Sequence, residues 1–325
     1  MRRESRPRPA PSTRRRVEHG DDGPARVTDI SNSLAGALTR IAGEVDACFD
    51  AMLPVPDDAR KRLIEAMRYA AIGGGKRVRP LLCVAVAEMF GVPRDVAVRV
   101  GCAIEAIHAY SLVHDDLPCM DDDDLRHGKP TAHRAFDVGT AVLAGDSLHA
   151  LAFEILGAPD IVTDPVLRAE LVMTLAGASG SAGMAGGQMM DIVAEEQSFD
   201  LPTVTRLQQL KTGALLGASV EMGAILGRVP VDARTPLRLY AHDIGLAFQI
   251  ADDLLDHEGD EALAGKALRK DAKAGKATFV SLLGPERARE QAQALITQAI
   301  GHLAVYDHEA DLLRALAQFV IERKK

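Results

Sequence analysis

From about residue 30 onward, apolar residues recur at three- and four-residue intervals almost to the end of the chain, with no sustained apolar/polar alternation. The spacing predicts helices over 30–51, 57–72, 78–90, 94–117, 135–157, 165–195, 203–228, 234–257, 278–300 and 307–322, and no sheet. Breaks fall at Gly73-Gly74-Gly75, Gly91 to Pro93, Pro118, Gly128 to Pro130, Gly157 to Pro159 and Pro230, where glycine frees the backbone or proline removes a donor; Pro202 reads as a first-turn proline. Ala141 to Leu156 and Leu207 to Leu226 are apolar nearly all round, a pattern that only surrounding helices satisfy. The expected fold is all-α: a large single-domain bundle of about ten or more helices around a central cavity, covering 28–325 behind a disordered Arg- and Pro-rich extension, 1–27.

Charge changes this picture only in part. The net charge is −8, yet the first 27 residues hold eight arginines against four acids, leaving thirty basic against forty-two acidic side chains, −12, in the remainder. So acidic a body argues against nucleic acid as a partner. The Arg-rich start has no apolar run behind it and fails as a secretory or twin-arginine signal. No stretch reads as a membrane span, and the four cysteines (Cys48, Cys83, Cys102, Cys119) lack metal or disulfide spacing, so a reduced, cytoplasmic protein is expected.

The chemistry concentrates in two aspartate clusters, Asp115-Asp116 with Asp121 and Asp252-Asp253 with Asp256, 137 residues apart and each at the end of a long apolar stretch. Carboxylates set together resist ionisation unless a cation stands between them, and Mg²⁺ takes oxygen ligands while sharing a substrate phosphate. Asp252 and Asp256 are four apart and fall on one helix face; Asp121 joins Asp115 only if the loop after Pro118 curls back. Cations accompany them: Lys76, Arg77 and Arg79 after the triglycine, then Arg126, Lys211, Lys266, Lys270 and Lys276, a set suited to clamping an anion. The triglycine is not a nucleotide-binding loop, because the G-x-x-x-x-G-K-[ST] spacing is absent.

Taken in order, Gly74 to Pro80, Ile107 to Pro118, Gly186-Gly187-Gln188, Lys211-Thr212-Gly213-Ala214 and Phe248-Gln249 through Asp256 resemble the trans-prenyl diphosphate synthases over roughly residues 30–325. Within that family the pattern is similar to the bacterial short-chain group, the farnesyl and geranylgeranyl diphosphate synthases, whose first aspartate motif also carries two extra residues. The resemblance implies an isoprenoid-synthase fold, a homodimer, and head-to-tail condensation of isopentenyl diphosphate with an allylic diphosphate, dimethylallyl or geranyl. It further implies that Asp115, Asp116, Asp121, Asp252, Asp253 and Asp256 hold Mg²⁺, about three ions per site once diphosphate is bound. Arg126, Lys211 and Lys276, with Thr212, Gln249 and Lys266, would complete the allylic site, and Lys76, Arg79 and His108 would hold isopentenyl diphosphate.

One position departs from the family, which usually has two arginines where this chain has Arg126-His127. An imidazole does not replace a guanidinium fork, so weaker and more pH-dependent isopentenyl diphosphate binding between pH 6.5 and 8.5 is expected. Tyr110 lies five residues, about 7.5 Å of helix, before Asp115. In the family a bulky group there, with the neighbouring Ser111, limits the growing chain, which favours farnesyl diphosphate over the twenty-carbon product. A terpene cyclase would not need the Lys76/Arg79 segment, a non-catalytic subunit would not need both clusters intact, and an EF-hand is excluded because Asp121 to Asp124 lacks its glycine and terminal glutamate.

Overall fold

Fourteen α-helices carry almost all the secondary structure among residues 23–258 and 276–322, the part of the chain described by the computed structural model. They are α1 (Gly23–Met52), α2 (Lys61–Ala71), α3 (Val78–Met89), α4 (Arg94–Asp115), α5 (Ala132–Ala135), α6 (Val138–Gly157), α7 (Pro165–Ser179), α8 (Met184–Val193), α9 (Leu201–Gln208), α10 (Ala214–Leu226), α11 (Thr235–Glu258), α12 (Phe279–Leu283), α13 (Pro285–His302) and α14 (Asp311–Glu322). Helix α1 begins inside the stretch expected to be a disordered extension, since Val27 and Ile30 continue the spacing that leads to Leu34. The rest of that extension, residues 1–22, lies outside the described residues, as do Lys266 and Lys270.

Three expected helices are each divided. The 165–195 segment breaks at Gly180–Gly183 between α7 and α8, and the 278–300 segment breaks at Gly284, whose φ of 80° suits glycine. The 203–228 segment bends through a π-helical turn, Gln209–Gly213, between α9 and α10. Asp137, Asp164 and Asp200 cap α6, α7 and α9 by accepting from the amides of Thr140, Val166 and Thr203, and Pro202 does sit in a first turn.

Helices α3, α4 and α10 form the centre. Leu81 to Ala87, Val100 to Ile107 and Leu215 to Leu226 are nearly all buried, α4 packs broadly on α6 and α3, and α10 packs on α3 and α7. Helices α4 and α6 are long and apolar enough to cross a membrane by length and composition, which sequence reading did not anticipate; two-thirds of the relevant stretch of α4 is buried within the bundle and one-third of that of α6. Arg77, 4% exposed, stitches four helices together: its guanidinium donates to Glu105 (2.7 Å) on α4, Asp46 (2.7 Å) on α1 and the Ala71 carbonyl (2.6 Å) on α2 from the start of α3.

A small sheet, absent from the expectation, follows α4: β1 (Leu125–Arg126) pairs antiparallel with β2 (Lys129–Pro130), with Arg126 opposite Lys129. The two-residue turn between them, His127-Gly128, has both φ values positive (52° and 74°), the hairpin geometry that matches strand twist. Two-residue strands carry too little apolar alternation to be seen in a sequence.

Candidate active site

Helix α4 ends at Asp115 because Pro118 cannot continue it, and the chain then curls back as required. The Asp121 amide donates to the Asp115 carbonyl (2.8 Å) and the Asp123 amide to that of Asp116 (3.3 Å), bringing Asp121 beside the first two acids. Burial pushes the Asp115 carboxyl up to about 6; Lys211 and Arg126 pull it down while Asp121 and Asp116 repel it further up. Asp116, 3% exposed, is likewise raised by burial, against the guanidinium of Arg126, which donates to its Oδ1 through Nε (3.0 Å) and Nη2 and also reaches Asp123.

Across the cavity from Asp115 stands the π-helical turn, which points Lys211 and Thr212 inward; single π turns recur at functional sites. Lys211 Nζ donates to Asp191 (2.7 Å), and Lys276 Nζ donates to the same oxygen (3.1 Å) and also meets Glu195 (3.1 Å). Burial alone would raise the Asp191 carboxyl; the two ammonium groups override it and hold it below the ordinary range. Sequence reading passed over Asp191, although it lies three residues after Gln188 and hence on a common face of α8. Gly187 permits this arrangement: a Cβ there would stand 2.2 Å from the Lys211 nitrogen and 2.6 Å from its Cα.

The second cluster closes the circuit. Thr212 Oγ1 donates to Gln249 (3.2 Å), whose Nε2 donates to Asp253 Oδ1 (3.0 Å), while Asp253 Oδ2 accepts from the Phe279 amide (2.9 Å). Asp253, 5% exposed, turns inward and anchors the start of α12; on a helix it points about 100° away from Asp252. Asp252 and Asp256 share the other face, and the Asp252 carboxylate is felt by Arg79. Among the described residues no three acidic, His or Cys side chains converge by themselves on a metal position.

Two cavities meet at Arg79 and His108. One, of about 350 Å³, is lined by Asp115, Lys211, Thr212, Gln188 and Met189, with Tyr110 and Ser111 on its α4 wall. Tyr110 stacks edge-on with His114 (centroids 5.7 Å apart) and His149 (5.0 Å), and the Ser111 hydroxyl is turned back to the His108 carbonyl (2.9 Å). The other, of about 400 Å³, is bounded by Gly73–Gly75, Lys76, Arg126, His127 and Lys129. Lys76 Nζ stands 5.4 Å over the Phe319 ring. Arg79 Nη1 approaches His108 Nε2 (3.4 Å), its Nε is buried without a partner, and burial draws its pKa below that of an ordinary guanidinium. A buried cation with an orphaned N–H is a vacancy for an anion. His108 is kept neutral by burial and by Arg79.

His127 borders the triglycine, its ring atoms 3.5 Å and 3.9 Å from where a Cβ on Gly74 and Gly75 would lie. Burial of part of its ring and then Arg126 and Arg77 lower its pKa below the ordinary imidazole value. With the imidazole pKa lowered, the ratio of isopentenyl diphosphate KM between wild type and His127→Arg should vary little from pH 6.5 to 8.5 and shrink below it, as the imidazole charges. A ratio that changes severalfold inside the window would contradict this reading.

An all-helical bundle that brings two aspartate clusters and a ring of Lys and Arg side chains around adjoining cavities is an isoprenoid-synthase-type protein. The polyprenyl synthetase family model matches residues 60–318. The farnesyl diphosphate synthase of Escherichia coli K12 is 44% identical over 295 residues, covering 89% of this chain and 97% of its own length, and the chloroplastic geranylgeranyl pyrophosphate synthase 11 of Arabidopsis thaliana is 42% identical over 87% and 80%. An FPP/GFPP synthase from Zymomonas mobilis superposes with a TM-score of 0.83 at 58% identity, covering 90% of this chain and 99% of that one. A geranyltransferase from Helicobacter pylori, solved with magnesium and isoprenyl diphosphate, does so with a TM-score of 0.75 at 32% identity, covering 88% and 96%. The chain belongs to the polyprenyl synthetase family, the trans-prenyl diphosphate synthases, and is a prenyltransferase.

Proposed function

We propose that the protein condenses isopentenyl diphosphate with dimethylallyl and then geranyl diphosphate to give farnesyl diphosphate. The observation that carries this reading is the junction of two cation-lined cavities at Arg79 and His108, which lets one hold the allylic diphosphate and the other isopentenyl diphosphate. A terpene cyclase would have no use for the second. Asp115, Asp116 and Asp121 from one side and Asp252 and Asp256, with Asp253, from the other would hold about three Mg²⁺ ions, completed by substrate oxygens. Bound there, Mg²⁺ supplies Lewis-acid stabilisation of the leaving group.

The chain's own residues do the remainder. Lys211, Lys276 and Arg126 offset the charge that builds on pyrophosphate as the allylic C–O bond breaks. The apolar wall of Met184, Met189 and Ile192 excludes water from the resulting allylic cation. The double bond of isopentenyl diphosphate attacks it, a C–C bond forms, and a proton passes to the released pyrophosphate. Arg79 and His108 hold isopentenyl diphosphate in line for that attack.

Incubation with Mg²⁺, labelled isopentenyl diphosphate and each allylic primer, followed by product sizing, tests the reaction; no chain extension from either primer would sink it. The partly buried Tyr110 supports a fifteen-carbon limit, and Tyr110→Ala should shift the product to twenty carbons or more. An unchanged spectrum would remove the floor role. The exposed apolar side chains Val138 and Leu143 on α6 and Val166 and Met173 on α7 support a homodimer, which light scattering would report as twice the chain mass. Four unpaired cysteines fit a cytoplasmic setting.

A further inference from the structure

Seven cationic or imidazole side chains surround the triglycine cavity: Lys76, Arg77, Arg79, His108, Arg126, His127 and Lys129. Two of them are committed elsewhere. Arg77 is held by Glu105 and Asp46, and Arg126 by Asp116 and Asp123. His127 occupies the place where the family carries a second arginine, and an imidazole lacks that residue's permanent charge and planar fork. Lys129 is exposed and makes no ion pair with any described residue, and its backbone is fixed by the hairpin.

Its position follows from the hairpin. Arg126 and Lys129 are cross-strand partners, and partners in an antiparallel pair project to one face. Arg126 faces the cavity, so Lys129 does too. Its Nζ lies 3.5 Å from the point a Cβ on Gly73 would occupy, with His127 beside it over Gly74 and Gly75. Gly73 and Gly75 have φ values of 75° and 72°, which opens their side of the loop to these two residues. Arg79, whose buried Nε has no hydrogen-bond partner, lines the same cavity.

We infer that Lys129 is a ligand of the isopentenyl diphosphate phosphates, supplying from β2 the cation that His127 does not supply from the turn. This rests on the function proposed above, and it names a residue that the motif resemblance did not. A charge on the flanking strand lies over the same glycine loop as the turn, and the αL turn position is filled by histidine, a residue that tolerates positive φ.

The test measures, on the full chain, isopentenyl diphosphate Kd by calorimetry and KM for both substrates in wild type, Lys129→Gln, Lys129→Arg and Lys129→Gln combined with His127→Arg. Loss of one charge-assisted contact should raise Kd and KM for isopentenyl diphosphate about tenfold in Lys129→Gln, with kcat and the geranyl diphosphate KM within about twofold. Lys129→Arg should keep wild-type affinity, and His127→Arg should restore it in the Lys129→Gln background. An isopentenyl diphosphate KM within twofold of wild type in Lys129→Gln, an equal rise in both KM values, or no rescue by His127→Arg would overturn the assignment while leaving the prenyltransferase reading intact. Absence of isopentenyl diphosphate binding or turnover in the wild type would sink both.

Discussion

Asp115→Ala should lower turnover by on the order of 10³-fold while leaving the fold as stable as before, or more so. The loss follows from the role of the first cluster in charge stabilisation, worth several kcal/mol when one of its ligands goes. The retained stability follows from the environment. Asp115 is partly buried beside Asp121 and Asp116, its carboxyl is pushed up to about 6, and it makes no ion pair, so the folded chain gains little from its charge. Asp253→Ala should behave oppositely. Its carboxylate satisfies Gln249 and the Phe279 amide, and removing it leaves buried donors without partners, a destabilisation of about 1–3 kcal/mol. Urea midpoints and kcat for the two variants give the comparison. If Asp115→Ala unfolds as readily as Asp253→Ala, or retains near-normal turnover, the division of labour between the two acids is wrong.

Gly187→Ala carries the second large expectation. One added methyl would stand 2.2 Å from the Lys211 nitrogen, in backbone that cannot step aside without moving the whole π-helical turn. Overpacking of this kind costs roughly 1–3 kcal/mol of stability. The functional loss should be larger, because the turn places both Lys211 and Thr212: kcat/KM for the allylic substrate should fall by about 100-fold. Gly217→Ala, one helical turn further on with nothing within 4 Å of its new methyl, is the control and should be neutral or slightly stabilising. Equal behaviour of the two variants would show that close approach of α8 to the π-helical turn does not matter.

Much of the site was readable before any coordinates because its parts are local. The pair Asp252 and Asp256 needs only the helical repeat to share a face, and Pro118 alone dictates that α4 stops where its acids are displayed. The family resemblance put Lys211, Thr212 and Gln249 among the expected site residues, and Thr212 and Gln249 are joined by a hydrogen bond of 3.2 Å. What local reasoning missed depends on partners distant in sequence. Asp191 acquires its role from Lys211 and Lys276, twenty and eighty-five residues away. Asp253 looks like its neighbours in the motif and is set apart only by the docking of α12 against α11. The π-helical turn is invisible in the apolar pattern, since one extra residue per turn leaves the hydrophobic positions on nearly the same face. His127 and Lys129 take their meaning from a hairpin register that two-residue strands cannot announce.

The sequence by itself determined the all-α class, the family, the two acidic clusters and the cations that answer them, because helical periodicity and motif spacing are properties of neighbours along the chain. Only the tertiary structure decided that Asp191 meets two lysines, that Asp253 meets the Phe279 amide, and which cations are locked by Glu105, Asp46 and Asp116. Those outcomes depend on burial and on the charge each side chain meets across the bundle, and neither quantity exists until the helices have packed.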